Sequence, residues 1–91
     1  MIYTVSFSKK AEKAIEKYKK SNPVSYKKLS NLLVDIAKHP REGIGHPEPL
    51  VKGNLVTYSR RLSARDRIIY DIFDNFVVVF VVSVGGHYGD K

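Results

Sequence analysis

The chain contains 91 residues, which is enough for one small domain with a single core and too few for two. Sixteen Lys and Arg residues against nine Asp and Glu residues give a net charge of +7, which favours phosphate polymers or an acidic protein as the partner. The chain has no cysteine, which excludes disulfides and thiolate zinc sites, and its apolar runs are too short to cross a bilayer as a helix. We expect one soluble, cytoplasmic domain over residues 1–91, without a signal peptide and without a membrane partner.

The first half of the chain predicts one strand followed by two helices. Residues 2–7 alternate between polar and apolar side chains, which is typical of a half-buried strand. Ser8 is then in position to cap a first helix, whose apolar residues follow at helical spacing. Asn22 and Pro23 are suited to be the cap and the first residue of a second helix, which ends before Pro40. So short a connection predicts a helical hairpin.

The second half of the chain predicts a stiff loop and a sheet. Prolines and glycines within residues 41–49 are expected to prevent regular structure there. Three strands are predicted, at residues 55–61, 67–73 and 76–84, and Asp74 and Asn75 are predicted to form a two-residue turn between the last two. The last strand is apolar on both faces and therefore belongs in the sheet interior. The element order predicts an α+β fold, with the helical hairpin packed on a mainly antiparallel sheet of about four strands.

Glu48 is a candidate general base. It lies between Pro47 and Pro49, which hold its neighbours extended and so reduce the entropy lost when the carboxylate is fixed in position. A positioned carboxylate is what proton abstraction requires. The alternative interpretation is an exposed loop carboxylate that only contacts water.

His87 and Tyr88 follow two glycines at the end of the last strand, and the glycines permit a sharp bend. We expect such a bend, because a two-residue turn would place Arg67 opposite Val82. His87 would then lie on the order of 15 Å beyond Arg67 in a straight strand. The bend would turn the imidazole back over the sheet. The alternative is a frayed tail with a surface histidine and tyrosine.

Four arginines cluster in the strand region, at Arg60, Arg61, Arg65 and Arg67. The planar guanidinium can hold two phosphate oxygens at once. Arg67 could stabilise the charge that develops on a phosphate during transfer. Alternatively, it could simply lie at the rim of the sheet or pair with the neighbouring Asp66 or Asp71. Arg60 and Arg61 point to opposite faces of a strand, so only one of them can share a face with the site.

No metal or cofactor site is expected. The three histidines do not form a helical pair of metal ligands, and no cluster of acidic residues accompanies them. The chain also lacks a glycine-rich phosphate loop and a Ser-His-Asp arrangement.

The joint order of these segments resembles the Txe/YoeB family of bacterial toxins, relatives of RelE, and the resemblance extends through nearly the whole chain. It is carried by Glu42-Gly-Ile-Gly-His-Pro-Glu-Pro-Leu50, Tyr58-Ser-Arg-Arg-Leu62, Asp66-Arg-Ile-Ile-Tyr70 and the terminal His87-Tyr88. The resemblance implies a RelE-like fold and a ribosome-dependent endoribonuclease that cuts mRNA in the A site without metal or cofactor. It also implies a YefM-like antitoxin as partner, with promoter DNA bound only through the antitoxin complex, and it leaves a homodimer open.

The family pattern implies a role for each of four residues. Glu48 would be the general base, Arg67 the phosphate-stabilising arginine, His87 the general acid and Tyr88 a positioning aromatic. Further RNA contacts are expected from four basic residues, namely Lys52, Arg60, Arg61 and Arg65. Two alternatives remain on the same fold: a ParE-like toxin that inhibits gyrase, and a module that binds RNA or the ribosome without chemistry.

Overall fold

The computed structural model describes residues 2–50 and 55–86 of the chain. Its elements in chain order are β1 (Thr4–Phe7), α1 (Lys9–Ser21), α2 (Pro23–Lys38), β2 (Glu48–Pro49), β3 (Thr57–Arg61), β4 (Asp66–Phe73) and β5 (Val78–Gly86), with a short 3-10 helix at Asp74–Phe76. The strands form one sheet in the order β1-β5-β4-β3-β2, in which β1 is parallel to β5 and the other neighbours are antiparallel. The predicted α+β fold is confirmed, and the sheet has five strands rather than about four.

Local capping chemistry forms the helical hairpin as the sequence predicts. The Ser8 hydroxyl accepts a hydrogen bond of 3.0 Å from the Ala11 N–H at the start of α1. The Asn22 side chain accepts one of 3.2 Å from the Ser25 N–H at the start of α2, while its own N–H donates to the carbonyl of Tyr18 at the end of α1. One residue therefore ends the first helix and begins the second. Neither helix in the described part of the chain is long and apolar enough to span a membrane.

The core lies between the helical hairpin and one face of the sheet. Leu29, Leu32 and Ile36 of α2 pack with buried side chains of the two central strands, Ile68, Tyr70, Ile72, Val79 and Val81. Burial of each large aliphatic side chain contributes about 1.5 to 3 kcal/mol. Since β5 lies between β1 and β4, its predicted interior position in the sheet is confirmed.

The connection between β4 and β5 is longer than predicted. The 3-10 helix is followed by Val77 in a left-handed conformation (φ 54°), and Phe73 pairs with Val78, so a two-residue turn at Asp74 and Asn75 is wrong. The Asp74 carboxylate explains the difference, because it accepts hydrogen bonds from the Tyr3 hydroxyl (2.7 Å) and the Arg41 guanidinium (3.1 and 3.0 Å). These partners come from distant parts of the chain.

The register between β4 and β5 also differs from the prediction. Ile69 pairs with Ser83 and Tyr70 with Val81, so Val82 is an extra residue in a β-bulge. Arg67 consequently lies opposite Gly85 rather than opposite Val82. The register therefore moves the position opposite Arg67 three residues along the chain, which is about 10 Å of the roughly 15 Å that a bend was expected to cover.

The loop over residues 41–49 was expected to lack regular structure, but its last two residues form a strand. Glu48 and Pro49 form the two-residue strand β2, which pairs with Ser59 and Tyr58 of β3. Pro49 has no N–H to donate. It is tolerated because β2 is an edge strand, with no further strand on its outer side that needs this donor. The pairing fixes the position of Glu48 relative to the rest of the sheet.

Candidate active site

The sheet face away from the helices, here named the outer face, brings together residues from four strands. Glu48, Ser59, Ile69 and Ser83 are paired in succession across β2, β3, β4 and β5. Residues directly opposite each other project to the same side of a sheet, and their neighbours along the strands project into the core. Glu48 therefore shares the outer face with the central strands although it comes from the loop segment.

Arg61 and Arg67 lie in the next row of the outer face. They are paired with each other across β3 and β4, and Arg67 is paired with Gly85 across β4 and β5. From strand spacing and rise, the Cα atoms of Glu48 and Arg67 are about 12 Å apart, and those of Glu48 and Arg61 about 8 Å. A phosphodiester fits between long side chains at these separations.

Neither guanidinium has an anionic partner within residues 2–50 and 55–86. The ion pairs in that part of the chain are Arg41 with Asp74 and Arg60 with Asp35. The two aspartates that flank Arg67 bind hydroxyls instead, since Asp66 accepts from Ser63 (3.2 Å) and Asp71 from Thr57 (2.6 Å). The alternative in which Arg67 pairs with one of these aspartates is therefore wrong. The outer face carries two unpaired positive charges, which suit an anionic ligand.

Arg60 faces the opposite way, into the core, and its side chain is 0% exposed. Its guanidinium donates to the Tyr70 hydroxyl (3.0 Å), to the Asp35 carboxylate (2.5 Å) and to the carbonyls of Ile44 (3.0 Å), Glu42 (2.8 Å) and His39. A guanidinium with no exposed surface and all its groups bonded within the protein cannot contact RNA. The prediction that Arg60 binds RNA is therefore wrong.

Arg60 instead fixes the position of the segment that precedes Glu48, through hydrogen bonds to the carbonyls of His39, Glu42 and Ile44. The Asp35 carboxylate that it binds also accepts from the Ile44 N–H (3.1 Å), and the Tyr70 hydroxyl donates to the Pro40 carbonyl (2.6 Å). Burial raises the pKa of Asp35, but the hydrogen bonds from Arg60 and Ile44 outweigh it and hold that pKa below its ordinary value. The chain before β2 is thus held from the protein interior.

Two glycines allow this segment to lie against its supports. Gly45 has φ +81°, and a Cβ there would lie 2.7 Å from the Leu32 Cδ2 atom and 3.1 Å from the Arg61 carbonyl oxygen. Its own carbonyl accepts from the Arg61 N–H (2.6 Å). Gly43 has φ +121°, and a Cβ there would overlap the Asp35 Oδ2 atom. Both positions therefore require glycine.

Four further site residues were predicted, namely Lys52, Arg65, His87 and Tyr88. Arg65 is exposed in the turn between β3 and β4. Gly85 and Gly86 belong to β5 and pair with Arg67 and Asp66, so within the described residues the chain continues as a strand where a bend was predicted. Lys52, His87 and Tyr88 lie outside the described residues.

The sequence did not reveal Asp35 and Arg60 as supports of the site. The one available signal was the alternation of Tyr58, Arg60 and Leu62, which places Arg60 on the same side as two apolar residues. No group of three or more His, Asp or Glu side chains within the described ranges is arranged to hold a metal ion.

Comparison with known proteins identifies the family. Residues 7–88 match the model of the YoeB-like toxin of bacterial type II toxin-antitoxin systems. The chain is also 43% identical over 54 residues to the toxin YoeB of Streptomyces coelicolor, which corresponds to 58% of this chain and 63% of that protein. The match thus spans less than two thirds of that relative.

Solved structures agree over nearly the whole chain. The YoeB dimer from Staphylococcus aureus superposes with a TM-score of 0.82 at 29% identity, covering 97% of this chain and 100% of that one. The heterotetrameric YoeB–YefM complex from the same organism gives 0.80 at 28% identity, with coverage of 97% and 100%. A mutant of the Escherichia coli toxin RelE in the free state gives 0.73 at 29% identity, with coverage of 98% and 87%. The fold is RelE-like, and the chain belongs to the YoeB-like toxins of bacterial type II toxin-antitoxin systems.

Proposed function

We propose that the outer face is the active site of an endoribonuclease that cleaves mRNA in the A site of the ribosome. The observation that carries the proposal is the presence of Glu48, Arg61 and Arg67 on one face, with both guanidiniums unpaired within the described residues. A base and two cations about 8 to 12 Å apart match the needs of phosphodiester cleavage.

In the proposed mechanism Glu48 removes the proton from a ribose 2′-OH. The 2′-oxygen attacks the adjacent phosphorus, a bond forms between them, and the bond from phosphorus to the 5′-oxygen breaks. His87 protonates the departing 5′-oxygen, and Tyr88 positions the substrate, as the family pattern implies. The products are a 2′,3′-cyclic phosphate and a 5′-OH, and every proton is accounted for by side chains.

Arg67 and Arg61 stabilise the extra negative charge that develops on the phosphate during attack. Preorganised cations of this kind are typically worth about 10²- to 10³-fold in rate for each group. Lys52 and Arg65 would hold the flanking strand as further RNA contacts. The ribosome would supply much of the remaining acceleration by fixing the mRNA geometry, so free RNA should be cleaved poorly.

We further propose that a YefM-like antitoxin neutralises the toxin by covering this basic face with an acidic, partly disordered segment. The net charge of +7 and the YoeB–YefM complex of the S. aureus relative support this partner. Promoter DNA would be reached only through that complex. Affinity for the antitoxin should fall as salt is raised to about 1 M, since screening weakens exposed charge pairs. Unchanged affinity would contradict the electrostatic account.

The dimeric S. aureus relative also supports self-association of this chain, which can be measured by sedimentation of the purified toxin. A single monomeric species across the accessible concentration range would contradict it.

Cleavage of mRNA on programmed ribosomes tests the activity. Glu48→Gln should lower the cleavage rate by about 10²- to 10⁴-fold, because it removes the base while keeping size and shape. Glu16→Gln is the matched control, since it makes the same change on the exposed surface of α1 and should leave the rate unaltered. His87→Ala should also lose activity.

Two further conditions address the chemistry. A single 2′-deoxynucleotide at the cleavage position should abolish cutting, because the nucleophile is missing, whereas EDTA added after ribosome programming at constant free Mg²⁺ should have no effect. Full activity of Glu48→Gln, or cleavage of the deoxy substrate, would rule out the mechanism. Growth inhibition that survives both Glu48→Gln and His87→Ala would favour a binding module, and altered DNA topoisomers after induction would favour a gyrase inhibitor.

A further inference from the structure

A groove separates α2 from the turn that joins β3 to β4. Its volume is about 580 Å³, which falls in the range of small-ligand sites. Its walls include Lys28, Asn31 and Leu32 of α2, Ile44 and His46 of the loop, and Arg61 at the end of β3. Of these residues, only Arg61 has a role in the proposed cleavage reaction.

The polar groups of the groove suit an anionic ligand. Lys28, Asn31 and His46 are exposed, and none of them makes a side-chain hydrogen bond or ion pair within residues 2–50 and 55–86. No acidic residue is among the described residues that line the groove. Nitrogen donors therefore converge on this space without a carboxylate to neutralise them.

The groove also has an apolar wall. Ile44 is 51% exposed, although it is a large aliphatic residue, and the buried Leu32 and Leu62 also line the groove. The adjacent His46 has a left-handed backbone (φ 51°), a conformation that costs energy in residues other than glycine and that clusters at functional sites. A ligand with a flat apolar part and a charged part would match this surface.

The groove and the outer face share one residue, Arg61. Arg61 borders the groove, and it also lies opposite Arg67 in the proposed active site. The hydrogen bond from the Arg61 N–H to the Gly45 carbonyl fixes the groove wall relative to that site. A strand whose phosphate binds Arg61 and Arg67 would place a neighbouring nucleotide in the groove.

We propose that this groove binds one nucleotide of the RNA strand next to the nucleotide that is cleaved. Lys28 and His46 contact its phosphate, Ile44 packs against its base, and the Asn31 amide donates to and accepts from the edge of the base. Single-stranded RNA is commonly recognised in this way, by contact with a base face together with hydrogen bonds to its edge. The inference rests on the proposed function and adds a site for the flanking base.

Nuclear magnetic resonance of the intact toxin with an RNA trinucleotide methylated at every 2′-oxygen tests the inference. This probe cannot be cleaved, because its nucleophile is blocked. It should shift the resonances of Asn31, Ile44 and His46. Lys28→Ala should weaken binding roughly threefold, as loss of one exposed charge contact does, and should reduce the slope of log affinity against log salt by about 0.7.

Lys27→Ala is the matched control, because it removes the same charge from the neighbouring position of α2 without altering the groove. Ribose 5-phosphate is a second control, since it offers the phosphate without a base and should leave the Ile44 resonance in place. Equal effects of Lys27→Ala and Lys28→Ala, or shifts confined to Arg61 and Arg67, would overturn the inference. Larger shifts with a hexaglutamate peptide than with RNA would overturn it in favour of an acidic protein segment.

The same measurements separate this inference from the proposed function. If ribosomes show no cleavage but the trinucleotide still occupies the groove, the proposed nuclease activity fails and the RNA site stands. If cleavage depends on Glu48 and the groove residues do not respond to RNA, the groove inference alone fails.

Discussion

Arg61 and Arg67 lie directly opposite each other on neighbouring strands, although both carry a positive charge. Like charges at a cross-strand pair destabilise a sheet by about 0.2 to 1 kcal/mol. No carboxylate within residues 2–50 and 55–86 forms an ion pair with either of them, and nearby Asp66 and Asp71 bind hydroxyls instead. The fold therefore maintains a repulsion that an anionic substrate would relieve.

Arg67→Met is expected to stabilise the protein while it impairs cleavage. Removal of the repulsion should raise the free energy of unfolding by about 0.2 to 1 kcal/mol at low salt, and the gain should shrink at high salt because screening already weakens the repulsion. Loss of a phosphate-stabilising cation should reduce ribosome-dependent cleavage by about 10²- to 10³-fold. Urea unfolding at two salt concentrations and a cleavage assay measure both effects. Lys19→Met on α1 is the control, and a loss of stability in Arg67→Met would contradict the account.

Arg60→Met should have the opposite effect on stability from a change at Arg61. The buried guanidinium satisfies three carbonyls and the Asp35 carboxylate, so its removal should lower the free energy of unfolding by about 3 to 5 kcal/mol. Arg61→Met, one residue away on the outer face, should be neutral or slightly stabilising. Chemical unfolding measures the free energy of unfolding of both variants. Equal values would show that the hydrogen bonds of Arg60 do not stabilise the protein as expected.

Gly45→Ala should destabilise the loop that leads to Glu48. The added methyl group would lie 2.7 Å from Leu32, and the residue would keep a left-handed backbone, so a cost of about 1 to 3 kcal/mol is expected. Gly85→Ala is the matched control, since Gly85 also has a positive φ (+132°) but no atom within 4 Å of an added Cβ. Thermal unfolding should show the larger loss for Gly45→Ala. A larger loss for Gly85→Ala would contradict the packing argument.

Acid should destabilise the protein through Asp35 and Asp74. Burial raises the pKa of Asp35, but hydrogen bonds from Arg60 and Ile44 lower it by more, so the net effect is a lowered pKa. The hydrogen bond from Arg41 lowers the pKa of Asp74. Both carboxyls therefore bind protons more weakly in the folded state than in the unfolded state. Their stabilisation is present above about pH 4 and is lost as the pH falls through the lower folded pKa values.

Urea unfolding between about pH 6 and pH 2.5 measures this dependence. Asp35→Asn should be less stable at neutral pH and should lose less stability on acidification than the wild type. Parallel curves for the two proteins would show that Asp35 titrates alike in the folded and unfolded states.

Local patterns were sufficient to predict the elements of the fold, because the chemistry that begins and ends them is local. Ser8 and Asn22 cap helices through atoms three residues away. The connection after β4 could not be predicted in this way, since Asp74 is held by Tyr3, 71 residues away in the chain. Arg60 was likewise misassigned because its partner Asp35 lies 25 residues away.

Which residues share the outer face depends on the register of the strands, and local sequence patterns do not determine that register. Glu48 shares a face with Arg61 only because β2 pairs with β3 in a register that the Gly45 carbonyl helps to set. Alternation did predict that Arg60 and Arg61 face opposite sides, but which of them faces the core follows from tertiary packing.

The bulge at Val82 gives β5 one residue more than its partner strand requires. Val81 and Val84 both reach the core, and Gly85 still lies opposite Arg67, because the bulge absorbs the surplus residue. Removal of Val82 would yield an unbroken ladder in which each remaining residue keeps its side of the sheet. The length of this strand can therefore differ by one residue between relatives without any change in what the outer face presents.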